Sequence, residues 1–112
     1  SVCIHHPNVD VKKISFDHNP TISANNFGTN SESGNFWKVA VWDSGTTEPG
    51  SSGSSLFDAN KRIIGQLYGG YASCSNLDFD IFGKLSTSWN LTFYGKTHER
   101  WCPNLGNQTH YC

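Results

Sequence analysis

The run Phe36-Trp37-Lys38-Val39-Ala40-Val41-Trp42 constrains this chain more than any other segment. Side chains alternate between the two faces of a strand, so Trp37, Val39 and Val41 fall on one side and Phe36, Lys38, Ala40 and Trp42 on the other. This spacing predicts a strand over 36–42. Shorter runs rich in β-branched and aromatic residues predict five more, over 2–6, 12–16, 54–57, 62–68 and 82–88. Asp58-Ala59-Asn60-Lys61 reads as the hairpin turn joining 54–57 to 62–68. Helical periodicity is nearly absent. The expected fold is all-β, with six short strands in one small antiparallel barrel or sheet.

Between these runs, residues 19–35 are polar and rich in Ser, Asn and Gly, while 43–55 concentrate Gly45, Pro49, Gly50 and Gly53; both read as loops. Beyond Trp89 the chain changes character. It carries the sequons Asn90-Leu91-Thr92 and Asn107-Gln108-Thr109 together with His98, Cys102 and Cys112. Residues 1–89 are therefore read as the β domain and 90–112 as a loosely ordered or disulfide-tied tail. The length of 112 residues suits one domain or a piece of one. No apolar run approaches the ~20 residues of a membrane-spanning helix. With 8 Lys plus Arg against 9 Asp plus Glu, the chain has neither a basic nucleic-acid footprint nor a polybasic membrane-binding surface. The start Ser1-Val2-Cys3, with no Met and no leader, reads as a processed or truncated product. Four Cys and two sequons point to an oxidising, secreted setting. Cys3, Cys74, Cys102 and Cys112 form no Cys-x-x-Cys pair, so no zinc site is expected, and their pairing is open. Neither a metal nor an organic cofactor is implied.

The segment that carries chemistry is Glu48-Pro49-Gly50-Ser51-Ser52-Gly53-Ser54-Ser55-Leu56. Small residues around a Ser let backbone N–H groups converge beside its hydroxyl, which is the geometry an oxyanion hole requires. The Gly-x-Ser-x-Gly elbow of α/β-hydrolases does not fit, because a strand rather than a helix follows. Downstream, the strand over 62–68 runs into Gly69-Gly70, an edge suited to pairing with an extended peptide. Asp80, within Phe79-Asp80-Ile81-Phe82, is a carboxylate among large apolar residues, suited to the base of a pocket that selects a cation.

These residues together resemble the C-terminal half of trypsin-like serine endopeptidases, most closely the lysyl endopeptidase group. Ile4-His5-His6-Pro7-Asn8, Lys12-Lys13-Ile14-Ser15, Thr47 through Ser54, Gly65-Gln66-Leu67, Gly69-Gly70, Ser73-Cys74-Ser75 and Thr87-Ser88-Trp89 follow in that group's order. The resemblance implies a six-stranded second barrel of a double-barrel fold. It makes Ser52 the nucleophile and the N–H groups of Gly50 and Ser52 the oxyanion hole. It makes Asp80 the primary-pocket carboxylate, so cleavage follows a basic residue, Lys favoured. Tyr68, Gly69 and Gly70 then meet substrate, with Tyr68 and Phe27 in place of the group's stacked His and Trp. In the same group the counterpart of Cys74 pairs with a Cys that lies outside this chain, and Ser51 replaces the Asp that usually precedes the nucleophile.

The triad order in such enzymes is His, Asp, Ser, and the matched region holds the Ser part only. His5 and His6 fall within the matched barrel and are read as structural; His18, His98 and His110 read as surface residues. The chain alone is expected to be nearly inactive, since a Ser without a base is a poor nucleophile. Its expected partners are a peptide or protein substrate bearing a basic residue and a first barrel outside this chain. The competing reading is a pseudopeptidase or peptide-binding β module that uses the same edge and pocket without cleavage.

Overall fold

The computed structural model describes residues 1–90, with the side chain of Asn90 excepted; the tail 91–112, with most of both sequons, His98, Cys102, His110 and Cys112, lies outside the described residues. The strands are β1 (Val2–His5), β2 (Lys13–Phe16), β3 (Ile22–Ala24), β4 (Phe36–Val39), β5 (Ser55–Phe57), β6 (Ile63–Gly70) and β7 (Asp80–Lys84). They form one antiparallel sheet in the order β2-β1-β5-β6-β7-β4-β3.

The all-β expectation holds, with three corrections. Seven strands are present among the described residues rather than six. The additional one, β3, lies inside the stretch read as a loop; three residues are too few for a period-two signal, and β4 supplies its ladder. The sheet is also open rather than closed, since β2 and β3 are not paired with each other. The chain leaving β4 nevertheless returns to the opposite edge, where Phe16 bridges Ser44 and donates its N–H to the Ser44 carbonyl at 2.8 Å. Finally, the run over 82–88 is not one strand: β7 ends at Lys84, and a short helix, α1 (Leu85–Asn90), follows and packs on β6 and β7.

Register explains the core. Cys3 faces Leu56 across β1 and β5, Leu67 faces Phe82 across β6 and β7, and Phe82 faces Trp37 across β7 and β4. Directly opposed residues share a face, so these side chains converge with Val39, Trp42 and Ala72 in one cluster. Trp42 lies beyond the end of β4, because the chain turns away after Val39 and brings the indole edge-on to Phe82, with ring centroids 6.2 Å apart. The opposite face carries the opposed pair Ile4 and Ile14, both exposed.

The hairpin turn between β5 and β6 forms as its sequence predicts. The carboxylate of Asp58 accepts the N–H groups of Asn60 and Arg62 at 2.9 Å each, and Lys61 takes the left-handed conformation.

Candidate functional site

The segment leading into β5 is built from two consecutive β-turns. Ser51 N–H donates to the Glu48 carbonyl and Ser54 N–H to the Ser51 carbonyl, each at 3.1 Å. In each turn a glycine occupies the third position with positive φ, +95° at Gly50 and +83° at Gly53, and Pro49 pre-sets the second position of the first turn. Ser51 is therefore the last residue of one turn and the first of the next. Its side chain is fully buried, while the neighbouring Ser52 is lifted onto the surface. Two bonds to β6 pin the second turn: Gly53 N–H to the Leu67 carbonyl and Leu67 N–H to the Ser54 carbonyl, both 2.8 Å.

Ser52 lines a cleft of about 220 Å³ together with Thr47, Glu48, Leu67, Gly70 and Asp80. The structure thus brings Ser52, Gly69, Gly70 and Asp80 to one hollow, although β6 and β7 supply three of them and the preceding loop the fourth. Gly70 is required here: a Cβ at this position would run into the Asp80 side chain and the Phe79 carbonyl.

Asp80 is 2% exposed. Its Oδ2 accepts two hydrogen bonds from neutral donors, Trp42 Nε1 at 2.7 Å and Thr47 Oγ1 at 2.6 Å. Burial pushes its pKa above the ordinary carboxylate value, and the Thr47 hydroxyl, the Trp42 indole and the Ala72 N–H offset only part of that shift. Among the described residues no cation pairs with it. When ionised, a buried carboxylate so arranged has no compensating cation among the described residues.

Sequence reasoning missed Glu48, a second carboxylate on the cleft. Its Oε1 accepts the Cys74 N–H at 2.5 Å, and Asn8 Nδ2 donates to its Oε2 at 3.4 Å. The Cys74 N–H is the main cause holding its pKa below the usual value. A lone Glu before Pro49 carries no pattern of its own, so no sequence signal separates it from a solvated surface residue.

Tyr68 and Phe27 lie in a neighbouring hollow of about 310 Å³ that shares Gly69, Gly70 and Tyr71 with the first. Tyr68 occupies the irregularity between Leu67 and Gly69 where the β6–β7 register shifts. Its ring meets Phe36 edge-on, with centroids 5.1 Å apart, whereas Phe27 is 79% exposed on the loop before β4. Gly50 does not line either hollow, but its turn carries Ser52.

Neither His5, which ends β1, nor His6, just beyond it, hydrogen-bonds Ser52. Both ring nitrogens of buried His5 are taken, Nδ1 by Ser51 Oγ and Nε2 by Ser15 Oγ, each at 2.9 Å. His6 is exposed, and its Nδ1 bonds the Asp10 carbonyl. The Ser52 hydroxyl has no hydrogen-bond partner among the described residues. Cys3 and Cys74 are both free, the first buried and the second exposed.

A family model for the lysyl endopeptidase C-terminal domain matches residues 1–83, a span that takes in the double turn, Ser52 and Asp80.

Proposed function

This chain belongs to the lysyl endopeptidase C-terminal domain family, and on that premise we propose that it is the nucleophile-bearing part of a serine endopeptidase that cleaves after basic residues, Lys favoured. The observation that supports this most directly is that Ser52 and the uncompensated carboxylate of Asp80 line the same cleft. A lysyl ammonium entering the cleft would supply the charge that Asp80 lacks. Glu48 at the same hollow adds a second negative charge.

In the proposed reaction Ser52 Oγ attacks the scissile carbonyl, and its proton passes to a His supplied from outside the described residues. The N–H groups of Gly50 and Ser52, unpaired among the described residues, receive the charge that develops on the carbonyl oxygen. The acyl-enzyme forms as the amine leaves with that proton, and water then releases the acid. A trypsin-like pairing of this open seven-stranded sheet with a first barrel that contributes the His and Asp belongs to this proposal.

The test is covalent labelling of the full-length protein with a fluorophosphonate, followed by peptide mapping. The expected result is an adduct on Ser52 that a lysyl competitor suppresses and Ser52→Ala abolishes. A folded protein that gives no adduct overturns the peptidase reading. One observation favours the second reading, a peptide-binding module: no base reaches Ser52 among the described residues. That module would bind lysyl peptides without turnover.

A further inference from the structure

The turn that presents Ser52 is fastened from one side by β1 and the short turn after it, Pro7–Val9. Three contacts do this. His5 Nδ1 meets Ser51 Oγ at 2.9 Å, Asn8 N–H donates to the Pro49 carbonyl at 2.8 Å, and Asn8 Nδ2 reaches Glu48 Oε2 at 3.4 Å.

The first contact belongs to a directed chain. Ser15 Oγ donates to the Thr46 carbonyl at 3.1 Å, and a carbonyl can only accept. The Ser15 oxygen is then free to accept from His5 Nε2–H, which leaves Nδ1 as the acceptor for the Ser51 hydroxyl. One carbonyl thus sets the tautomer of His5 and the orientation of Ser51. His5, Ser15 and Ser51 are 1%, 0% and 0% exposed, so no water competes for these bonds.

The second contact acts on a peptide plane. In a trans peptide the C=O and N–H point in opposite directions, and no peptide bond among the described residues is cis. The Pro49 carbonyl and the Gly50 N–H share one plane, as do the Ser51 carbonyl and the Ser52 N–H. Asn8 N–H holds the first carbonyl and Ser54 N–H the second, so both N–H groups are aimed by bonds on the far side of their own peptides. Asn8 reaches Pro49 from a left-handed conformation, φ 52° and ψ 35°, which Asn tolerates better than most residues.

We propose that His5 and Asn8 are positioning residues that hold the Gly50 and Ser52 N–H groups in register for an oxyanion, so that the loop is preset by β1. The inference rests on the peptidase reading for the identity of what the loop binds, but the fastening itself has its own readout.

The experiment compares His5→Asn with His5→Gln in the full-length protein. An Asn amide occupies the place of Nδ1 and keeps the link to Ser51; a Gln amide reaches the place of Nε2 and keeps only the link to Ser15. The readouts are the fluorophosphonate labelling rate at Ser52 and hydrogen exchange of the Ser51, Gly53 and Ser54 amides. His5→Gln is expected to slow labelling about tenfold or more, short of the ~10²–10³ seen when an oxyanion donor is lost outright, and to speed exchange. His5→Asn should stay close to wild type in both. A purely structural role predicts the reverse order, because Asn leaves the larger void, so equal or reversed effects overturn the proposal. If wild type shows no labelling but the exchange contrast appears, the fastening stands and the peptidase reading falls. Should neither His5 variant fold, Asn8→Gly, which keeps the left-handed φ and the N–H but loses the long side-chain contact to Glu48, is expected to stay closer to wild type in both readouts than Asn8→Val, which strains that φ and speeds exchange; equal behaviour of that pair overturns the proposal.

Discussion

Trp42 Nε1 lies 2.7 Å from Asp80 Oδ2, so the largest side chain of the core ends in a hydrogen bond to the most buried carboxylate among the described residues. The bond ties packing to the cleft. Trp42→Phe keeps most of the apolar contact with Phe82 but removes a donor that lowers the Asp80 pKa. The expected cost is about 1–3 kcal/mol, the range for stripping a buried polar group of one partner. Urea denaturation checks the loss. Thr47→Val, which removes the other Oδ2 donor, should fall in the same range.

Asp80 itself should trade stability for binding. Its folded-state pKa lies above 3.8, so the folded chain binds its proton more tightly than the unfolded chain does. The associated stabilisation is present at pH below 3.8 and disappears as pH rises through the folded value. Once ionised, the group is therefore a burden on folding. Asp80→Asn is expected to leave the neutral-pH midpoint equal to or above wild type, and to flatten stability against pH in the acid range. Lysyl-peptide binding should be lost in the same variant. A marked drop in the urea midpoint at pH 7 would contradict this account.

His5 should make the chain acid-sensitive in a higher pH window. Burial is the main cause that lowers its pKa below 6.5, and His6 adds to it. The unfolded chain then takes up a proton that the folded chain resists, so stability is full above pH 6.5 and falls as pH drops below it. One such group contributes a slope of at most about 1.4 kcal/mol per pH unit. Denaturation midpoints measured from pH 8 to pH 5 should show this decline, and His5→Gln should remove it.

The sequence carried these features unevenly, and the reason is range. Trp37 and Val39 were legible as sharing one strand face because strand alternation is a local pattern, though that pattern did not say which face is buried and placed core Trp42 on the other one; the Ser52 turn was legible because Gly50 and Gly53 mark positive φ within four residues. Ile22–Ala24 and Leu85–Asn90 were not, since neither contains enough residues to show a period and each is stabilised by what it packs against. The His5–Ser51 bond joins residues 46 apart in sequence. Nothing near His5 signals that contact, and it arises only when β1 is laid beside β5. Glu48 became visible on the cleft for the same reason, once the fold had brought the Cys74 N–H to its carboxylate.

The two described cysteines should differ sharply in reactivity. Burial, with Asp80 adding to it, pushes the Cys3 thiol up to about 12, so almost no thiolate exists at neutral pH and the sulfur is also inaccessible. Cys74 is exposed, but the neighbouring Glu48 raises its pKa through a hydrogen bond and through charge. Iodoacetamide at pH 8 is therefore expected to modify Cys74 slowly and Cys3 only after denaturation, with the two peptides quantified separately by mass spectrometry. Glu48→Gln removes the carboxylate charge beside the thiol and should speed Cys74 alkylation while leaving Cys3 protected. If Cys3 reacts at the rate of Cys74 in the native chain, the packing of β1 against β5 is wrong; if Glu48→Gln leaves Cys74 unchanged, the carboxylate does not hold that loop at the cleft.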